Sequence, residues 1–216
     1  MSRLKQTHAE VVRMQSMLSF ERDLWSHGSE FIAGVDEAGR GPLAGPVVAA
    51  AVIFYSDIQI PGVNDSKKLS ARRREALFDH ISIAARAVGI GVCDEKEIDC
   101  MNILQATYLA MRRALQNARL PVQHVLVDGF AIPDMTIPQT AIIKGDQKCF
   151  SIAAASIIAK VTRDRMMQEY DRQFPQYGFI HHKGYPTKKH IQAIRTHGLS
   201  PIHRTTFHVR ELSDVQ

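Results

Sequence analysis

Five short apolar runs, separated by turns and by helix-forming stretches, limit the folds that are open to this chain of 216 residues. The runs are Phe31–Val35, Val47–Phe54, Val88–Val92, Val125–Val127 and Ala141–Ile143. Their length and their content of Val, Ile and Phe are typical of buried β-strands. The first runs follow one another closely, and the later ones alternate with helical stretches. This order predicts an α/β domain with a mixed sheet.

Periodicity and capping residues predict the helices around this sheet. We expect helices over Arg3–Trp25, Ala71–Ala87, Asn102–Ala118, Ser151–Phe174 and Lys188–His197. The chain then divides into an N-terminal helical extension (1–28), a main domain (29–173) and a basic helical C-terminal segment (174–216) that packs on the main domain.

Positive charge is concentrated towards the C-terminus. The formal net charge is +5, yet residues 1–146 carry 16 basic and 17 acidic side chains, whereas residues 147–216 carry 11 and 5. There is no acidic residue between Asp171 and Glu211. A segment of this kind favours contact with a polyanion, and a solvated charged face is the alternative.

The three cysteines, Cys93, Cys100 and Cys149, form no Cys-x-x-Cys pair. This pattern indicates neither a disulfide framework nor a structural zinc site, and it fits reduced thiols. Charged residues interrupt the first 30 positions, so neither a signal peptide nor a membrane span is predicted there. We therefore expect a cytoplasmic, monomeric protein without membrane contact.

Four acidic residues follow the predicted strands. Asp36 and Glu37 follow the first run, Asp128 follows the fourth, and Asp146 comes shortly after the fifth. Carboxylates at the ends of buried strands are costly unless they are paired or bound to a cation. If these strands are neighbours, the oxygen-only cluster suits two Mg²⁺ or Mn²⁺ ions, which can drive phosphodiester hydrolysis. The alternative is that individual acids cap a helix or a turn.

Glycines come directly after the first acidic pair, in the turn Gly39-Arg40-Gly41-Pro42, with Gly45 beyond it. Such a turn allows the backbone to approach a ligand closely. A dinucleotide-binding loop is the alternative. Its spacing does not match, proline occupies the loop, and the adjacent carboxylates would repel a pyrophosphate.

Several sequence blocks together resemble the type 2 ribonucleases H, the bacterial ribonuclease HII family. The blocks are Gly34–Pro42, Asn64–Leu69, Asp128–Gly129, Lys144–Asp146, Ser151–Val161, Tyr177–Phe179 and His182–Thr187. The resemblance implies a ribonuclease H-like fold, with a five-stranded mixed sheet flanked by helices and a C-terminal helical appendage. It also implies metal-dependent cleavage of RNA that is paired to DNA.

The same resemblance implies roles for individual residues. The four carboxylates singled out above correspond to the catalytic metal ligands of that family. Its sensor of the ribose 2′-hydroxyl falls on the backbone of Gly39, Arg40 and Gly41, with Tyr185 stacking on the sugar next to the ribonucleotide. Backbone groups in a tight turn can distinguish ribose from deoxyribose, because a hydroxyl both donates and accepts hydrogen bonds.

Our hypothesis is an endoribonuclease that acts on RNA–DNA hybrids and on single ribonucleotides embedded in duplex DNA. By resemblance it cuts on the 5′ side of the ribonucleotide, using two metal ions and leaving 3′-hydroxyl and 5′-phosphate ends. Candidate phosphate contacts are Lys67, Lys68, Lys183, Lys188 and Lys189. A non-catalytic nucleic-acid-binding protein and a nucleotide-dependent oxidoreductase are the alternatives.

A possible protein partner is a bacterial sliding clamp, because residues 15–20 loosely resemble a clamp-binding peptide. An amphipathic helix that packs on the body of the protein explains these residues more simply.

Overall fold

A computed structural model describes residues 8–56 and 58–208. Within these residues the central sheet has five strands in the order β3-β2-β1-β4-β5. The strands are β1 (Ile32–Ala38), β2 (Val47–Ile53), β3 (Ala87–Cys93), β4 (His124–Asp128) and β5 (Gln139–Ile142). β2 is antiparallel to both β1 and β3, whereas β4 is parallel to β1 and β5 is parallel to β4. The predicted five-stranded mixed sheet is therefore confirmed.

Helices cover both faces of the sheet. They are α1 (His8–Met17), α2 (Ser19–Ser26), α3 (Ala71–Ala84), α4 (Glu95–Met101), α5 (Ile103–Asn117), α6 (Gly145–Lys148), α7 (Phe150–Gln173), α8 (Phe179–His182) and α9 (Lys188–His197). None of the helices in the described part of the chain is long and apolar enough to cross a membrane.

Strand β2 lies between two hydrophobic cores, and all seven of its residues are buried. Ala50 and Val52 pack in the core that α3 and α7 cover, whereas Ala49 and Ala51 pack in the core that α5 covers. Because side chains alternate between the two faces of a strand, a continuous apolar run is what a strand covered on both faces requires.

The N-terminal part of the chain differs from the prediction of a single helix over 3–25. Two helices, α1 and α2, meet at Leu18, whose side chain is buried. Met14 and Met17 are buried beside it in the core formed with α7. Two backbone hydrogen bonds span this junction, from the Leu18 N–H to the Met14 carbonyl oxygen at 3.2 Å and from the Arg22 N–H to the Leu18 carbonyl oxygen at 3.0 Å. Met14, Met17 and Leu18 therefore keep the spacing that places side chains on one helical face. Residues 1–7, where the predicted helix began, and the chain end at 209–216 are outside the described residues.

Helix α4 was not among the predicted helices, although a capping box marks its beginning. The Asp94 side chain accepts a hydrogen bond from the Glu97 backbone N–H, and the Glu97 side chain accepts one from the Asp94 N–H. Asn102, with φ of 73°, separates α4 from α5 and caps α5 through its side chain. A run of only seven helical residues is too short to show a clear periodicity.

The C-terminal segment packs on the end of α7 through its own apolar cluster. Tyr177, Phe179, Ile194 and Ile202 are buried there against Met167 of α7. The same cluster includes two residues of the glycine-rich turn, Leu43 and Ala44. The basic segment therefore has a partner in the body of the protein, and it contacts the loop that follows β1.

Glu21 of α2 connects the N-terminal helices to the beginning of α7. Its side chain is 2% exposed, and its Oε1 accepts hydrogen bonds from the Ser151 N–H at 2.7 Å and the Ser151 Oγ at 2.7 Å. The Cys149 thiol donates to the same oxygen at 3.1 Å. A carboxylate at a helix N-terminus satisfies otherwise unpaired N–H groups and interacts favourably with the helix dipole.

Replacing Glu21 with alanine is therefore expected to destabilise the whole protein. The substitution Glu21→Ala leaves buried donors of Ser151 and Cys149 without an acceptor, at a cost of about 2–3 kcal/mol in the free energy of unfolding. Urea denaturation measures this cost. Asp23→Ala, an exposed acid on the same helix, is the control and is expected to change stability little. Equal stability of the two variants would contradict the proposed anchor.

Candidate active site

The carboxyl ends of β1, β4 and β5 bring the predicted acids to one edge of the sheet. Val35 pairs with Val127, so Asp36 and Asp128 each come one residue beyond this pair in neighbouring parallel strands. Asp128 in turn pairs with Ile142 of β5. Asp146 lies in the first turn of the short helix α6, directly after β5. The convergence inferred from the positions of these acids in the sequence is thus what the sheet topology produces.

Backbone N–H groups hold two of these carboxylates. The Glu37 N–H donates to Asp36 Oδ1 at 2.6 Å, and the Gly145 N–H donates to Asp128 Oδ1 at 2.6 Å. The second bond ties the end of β4 to the turn that precedes α6. Asp36 is 6% exposed and Asp146 is 5% exposed, so both lie largely out of the solvent.

Burial and mutual repulsion raise the pKa values of this group. The pKa of Asp36 is raised well above its usual value, first by burial and then by the negative charges of Glu37, Asp128 and Asp146. Burial also raises the pKa of Glu37, and the positive charge of Arg40 partly offsets this increase. The pKa of Asp146 is raised by burial and then by Asp65 and Asp128.

Two cations stand beside the acids. Lys67 Nζ lies 3.7 Å from Asp146 Oδ2, and Arg40 Nη1 lies 3.4 Å from Glu37 Oε1. The pKa of Lys67 is raised by these carboxylates even though partial burial alone would lower it. The donor set consists of oxygen atoms only, and its repulsion would be relieved by a hard divalent cation. The chemistry of the site therefore fits Mg²⁺ or Mn²⁺.

The side chains are not arranged as a finished metal site. In residues 8–56 and 58–208, no three His, Cys, Asp or Glu side chains are grouped so that they could hold a metal ion. Backbone N–H groups engage Asp36 and Asp128, while Arg40 and Lys67 attract Glu37 and Asp146. Metal binding therefore requires these side chains to turn towards a common centre.

The glycine-rich turn follows β1 and faces the same cleft. Gly39 has a φ of 100°, and a Cβ placed on it would lie 2.1 Å from Arg163 Nε and 2.7 Å from the Pro46 carbonyl oxygen. Any larger residue at position 39 would be strained and would also collide with its surroundings. The absence of a side chain allows the turn to pack tightly on the protein body.

Two buried arginines support this turn from below. Arg204 is 1% exposed and donates hydrogen bonds to the carbonyl oxygens of Gly39, Arg40 and Gly45, at 2.6–3.0 Å. Arg163 is fully buried and donates to Pro46, Ala44 and Lys183. Burial lowers the pKa of Arg163 to about 10 and that of Arg204 to about 9, so both remain cationic at neutral pH.

Neither arginine was assigned a structural role from the sequence, where Arg204 counted as part of the basic C-terminal run. That run is therefore not uniformly exposed. No local signal distinguishes Arg204 from its exposed neighbours, since its partners are carbonyl oxygens about 160 positions earlier.

A cleft brings most of the predicted site residues together. It is lined by Asp36, Glu37, Ala38, Gly39, Arg40, Gly41, Ser66, Lys67, Lys160 and Tyr185. The two 2′-hydroxyl elements implied by resemblance, the glycine turn and Tyr185, lie side by side, since Tyr185 Cε1 is 3.7 Å from the position that a Cβ on Gly41 would occupy. Of the four acids, Asp36 and Glu37 line this cleft, and Asp128 lines an adjoining groove. Lys160, whose Nζ donates to Asp164 at 2.6 Å, lies in the sequence block Ser151–Val161, but no role was predicted for it.

Two further grooves adjoin the cleft. One contains Glu37, Arg40, Asp128 and the exposed ring of Phe130, and the other contains Lys160 and Lys183. Because each groove shares residues with the central cleft, the three form one track across the protein surface. Three adjoining grooves suit an extended ligand better than a small molecule.

The remaining predicted lysines differ in position. Lys68 is exposed at the end of the 3₁₀ helix Ser66–Lys68, next to the cleft residue Lys67. Lys183 lies in the groove beside Lys160, and its Nζ donates to the Ile180 carbonyl oxygen. Lys188 and Lys189 are exposed at the beginning of α9, shortly after Tyr185.

Removing the support beneath the glycine turn is expected to destabilise the protein. In Arg204→Lys, one ammonium group cannot replace the forked contacts to three carbonyl oxygens, and a buried cation remains. We expect a loss of about 2–4 kcal/mol in the free energy of unfolding, measured by urea denaturation. Arg172→Lys makes the same exchange at an exposed ion pair and serves as the control. A stability equal to that of the control would refute the supporting role.

Comparison with known proteins gives a consistent result. The model of the family described as Ribonuclease HII matches residues 33–210. The curated Ribonuclease HII of Ruminiclostridium cellulolyticum is 55% identical over 206 residues, which cover 95% of this chain and 81% of the relative. That of Geobacter metallireducens is 55% identical over 193 residues, covering 89% of this chain and 91% of the relative.

Solved structures agree with the fold. Ribonuclease H2 from Pyrococcus horikoshii has a TM-score of 0.68 at 31% identity, over 82% of this chain and 94% of the other. The ribonuclease of the PCNA:RNase HII complex from Archaeoglobus fulgidus has a TM-score of 0.68 at 28% identity, over 83% and 96%. Bst-RNase HIII in complex with Mn²⁺ has a TM-score of 0.64 at 18% identity, over 96% and 73%. The expected ribonuclease H-like fold is confirmed.

Proposed function

Because the chain belongs to the ribonuclease HII family and is an endoribonuclease of ribonuclease H type 2, we propose that it recognises the ribose at the junction with DNA. It hydrolyses the RNA strand of RNA–DNA hybrids and cuts on the 5′ side of single ribonucleotides embedded in duplex DNA. The products carry 3′-hydroxyl and 5′-phosphate ends. The observation that carries this proposal is the cleft in which Asp36 and Glu37 meet the glycine turn and Tyr185, with Asp128 in the adjoining groove.

Asp36, Glu37, Asp128 and Asp146 would hold two Mg²⁺ or Mn²⁺ ions. When bound, the ions would supply a nucleophilic water and neutralise the charge that develops on the scissile phosphate. The protein contributes the position of the ligands, because the parallel strands set the spacing of Asp36 and Asp128 and the Gly145 N–H orients Asp128. The repulsion among the acids supports cation binding at this edge of the sheet.

The glycine turn and Tyr185 would select the ribonucleotide. Arg204 holds the carbonyl groups of Gly39 and Arg40 towards the protein interior, so the turn presents a fixed backbone to the cleft. Tyr185 is 42% exposed beside the turn, and its Cε1 lies 3.7 Å from the position that a Cβ on Gly41 would occupy. The ribonucleotide would meet the polar backbone groups of the turn, and the neighbouring sugar would meet the aromatic face of Tyr185.

The adjoining grooves would carry the rest of the duplex. Lys67, Lys160 and Lys183 lie along the track and would contact phosphates of the duplex. We further propose that the protein is cytoplasmic and monomeric. Sliding-clamp binding through residues 15–20 would require the junction of α1 and α2 to detach, because Leu18 is 2% exposed and Met17 is 4% exposed.

Cleavage of a labelled DNA duplex with one embedded ribonucleotide, with and without Mg²⁺ or Mn²⁺, tests the proposal. The wild-type protein is expected to cut only the ribonucleotide-containing strand, and only with metal. Asp128→Asn removes one ligand charge and is expected to slow single-turnover cleavage on the order of 10²-fold or more. Its affinity for the duplex, measured by fluorescence anisotropy in EDTA, should change little.

Asp79→Asn, at an exposed position on α3, is the control for this substitution. Near-normal turnover of Asp128→Asn would remove this residue from the metal site. Binding of the duplex by the wild-type protein without any cleavage would instead favour the alternative of a non-catalytic nucleic-acid-binding protein.

The track of lysines predicts a salt-dependent affinity. A plot of log K against log salt concentration has a negative slope. Each phosphate contact that is lost should make this slope shallower by about one, because one fewer counterion is released. We expect this reduction for Lys67→Met and for Lys160→Met in anisotropy titrations at several salt concentrations. Lys96→Met replaces an exposed lysine of α4 and should leave the slope unchanged. Unaltered slopes in both track variants would show that these lysines do not contact phosphates.

A further inference from the structure

Three buried histidines lie beneath Tyr185 in the C-terminal segment, outside the chemistry described so far. His182 is 8% exposed, His190 is fully buried and His203 is 3% exposed. The rings of His182 and His190 stack with their centroids 4.3 Å apart. Phe179 packs edge-on against both of these rings. Fully buried histidines in an apolar cluster must satisfy both ring nitrogens to avoid a large energetic cost.

Two of these rings connect Ser200 to Tyr185 in a continuous chain of hydrogen bonds. The Ser200 N–H donates to His203 Nδ1 at 2.8 Å, and the Ser200 Oγ lies 2.7 Å from the same nitrogen. His203 Nε2 lies 3.0 Å from His190 Nε2. His190 Nδ1 lies 3.0 Å from the Tyr185 carbonyl oxygen, which also accepts a hydrogen bond from the Thr187 N–H.

The backbone groups at the two ends determine where each proton lies. An amide N–H can only donate, so His203 Nδ1 carries no proton and its Nε2 carries one. That Nε2–H donates to His190 Nε2, which is therefore unprotonated. His190 Nδ1 must then carry a proton, and it donates this proton to the Tyr185 carbonyl oxygen, which can only accept.

His182 has a tautomer that is determined in the same way. The Gly184 N–H donates to His182 Nδ1 at 3.2 Å, and His182 Nε2 donates to the Tyr177 carbonyl oxygen at 2.9 Å. All three rings are thus neutral, with no site left for a further proton. Consistent with this, burial lowers the pKa of His190 to about 4 and that of His203 to about 4.

The segment that these rings hold is also attached to the glycine turn. The Leu43 N–H donates to the Gly184 carbonyl oxygen at 2.8 Å. A Cβ on Gly184, which has a φ of 85°, would lie 2.5 Å from the Ala44 carbonyl oxygen. Tyr185 therefore follows a residue that is packed directly against the end of the glycine turn, and the carbonyl group of Tyr185 itself is held by His190.

We propose that His203 and His190 form a relay of neutral imidazoles, anchored on Ser200, that positions Tyr185 for recognition of the ribonucleotide. This inference rests on the proposed function in that Tyr185 is taken to stack on the sugar next to the ribonucleotide. His190 and His203 are positioning residues, since they act through Tyr185 and do not line the cleft. The relay connects Ser200, which follows α9, to the backbone of Tyr185 through neutral groups only.

Nitrogen-15 NMR of the uniformly labelled full chain tests the proton positions directly. At neutral pH we expect the Nδ1–H tautomer for His190 and the Nε2–H tautomer for His182 and His203, with signals assigned through single His→Gln variants. A His190 ring that is protonated on both nitrogens, or on Nε2 alone, would overturn the relay. This measurement needs no substrate.

Two substitutions of His190 separate its two hydrogen bonds. His190→Asn places an amide near the position of Nδ1 and can still donate to the Tyr185 carbonyl oxygen. His190→Gln places its amide near Nε2 and keeps only the contact with His203. We expect kcat/KM on the single-ribonucleotide duplex to fall about tenfold in His190→Gln, the effect of one lost hydrogen bond, and to be largely retained in His190→Asn. The control is His80→Gln, at an exposed position on α3.

A double-mutant cycle distinguishes positioning of Tyr185 from a general structural role. If His190 acts through Tyr185, the penalty of His190→Gln in kcat/KM should nearly disappear in a Tyr185→Ala background. An equal penalty in both backgrounds would overturn the proposal. Circular dichroism of each variant shows whether it is folded. If His190→Gln is not folded, the tautomer measurement on the wild-type protein tests the proposal instead.

Failure of the proposed function would look different. If Tyr185→Ala cleaves the single-ribonucleotide duplex as well as the wild-type protein does, Tyr185 has no role in recognition, whatever the tautomers are. If Tyr185→Ala is impaired but His190→Gln is not, the function stands and the relay is refuted.

Discussion

The parallel pairing of β1 with β4 is the interaction on which the rest of the structure depends. It places Asp36 and Asp128 one residue beyond the same paired position, at the edge of the sheet where β5 also ends. Burial at this edge raises the pKa of Asp36, and the neighbouring acids repel one another and raise it further. A site built in this way is energetically unfavourable by itself and becomes favourable with a hard cation, so the stability of the fold and its chemistry oppose each other locally.

The opposite requirement governs the wall of the cleft. Here the backbone of the glycine turn must be rigid, and its carbonyl oxygens are held by the buried guanidinium groups of Arg204 and Arg163. Both cations are largely desolvated, yet each hydrogen bond described for them goes to a backbone oxygen and not to an acid that could compete with the acidic centre. Arg204 and Arg163 thus fix the backbone of the glycine turn, and His190 holds the loop that carries Tyr185.

The charge distribution has a different meaning in three dimensions. The basic C-terminal run was interpreted either as a surface for a polyanion or as a solvated face. Lys183, in a groove beside the cleft, and the exposed Lys188 and Lys189 are available to such a ligand. Arg204 and His190 fit neither, because both are buried and bind within the protein. Net charge along a sequence therefore overstates the charge that is available to a ligand.

The sequence by itself determined the class of the fold, the strands and the acids that end them, because short apolar runs and the cost of burying a carboxylate are local properties. Sequence blocks also sufficed to identify the family. Only the tertiary structure decided the turn at Leu18, the support of the glycine turn by Arg204 and the connection from Ser200 to Tyr185. These features join residues that are distant in the chain or depend on which face of a helix is covered, and no pattern of neighbouring residues records them.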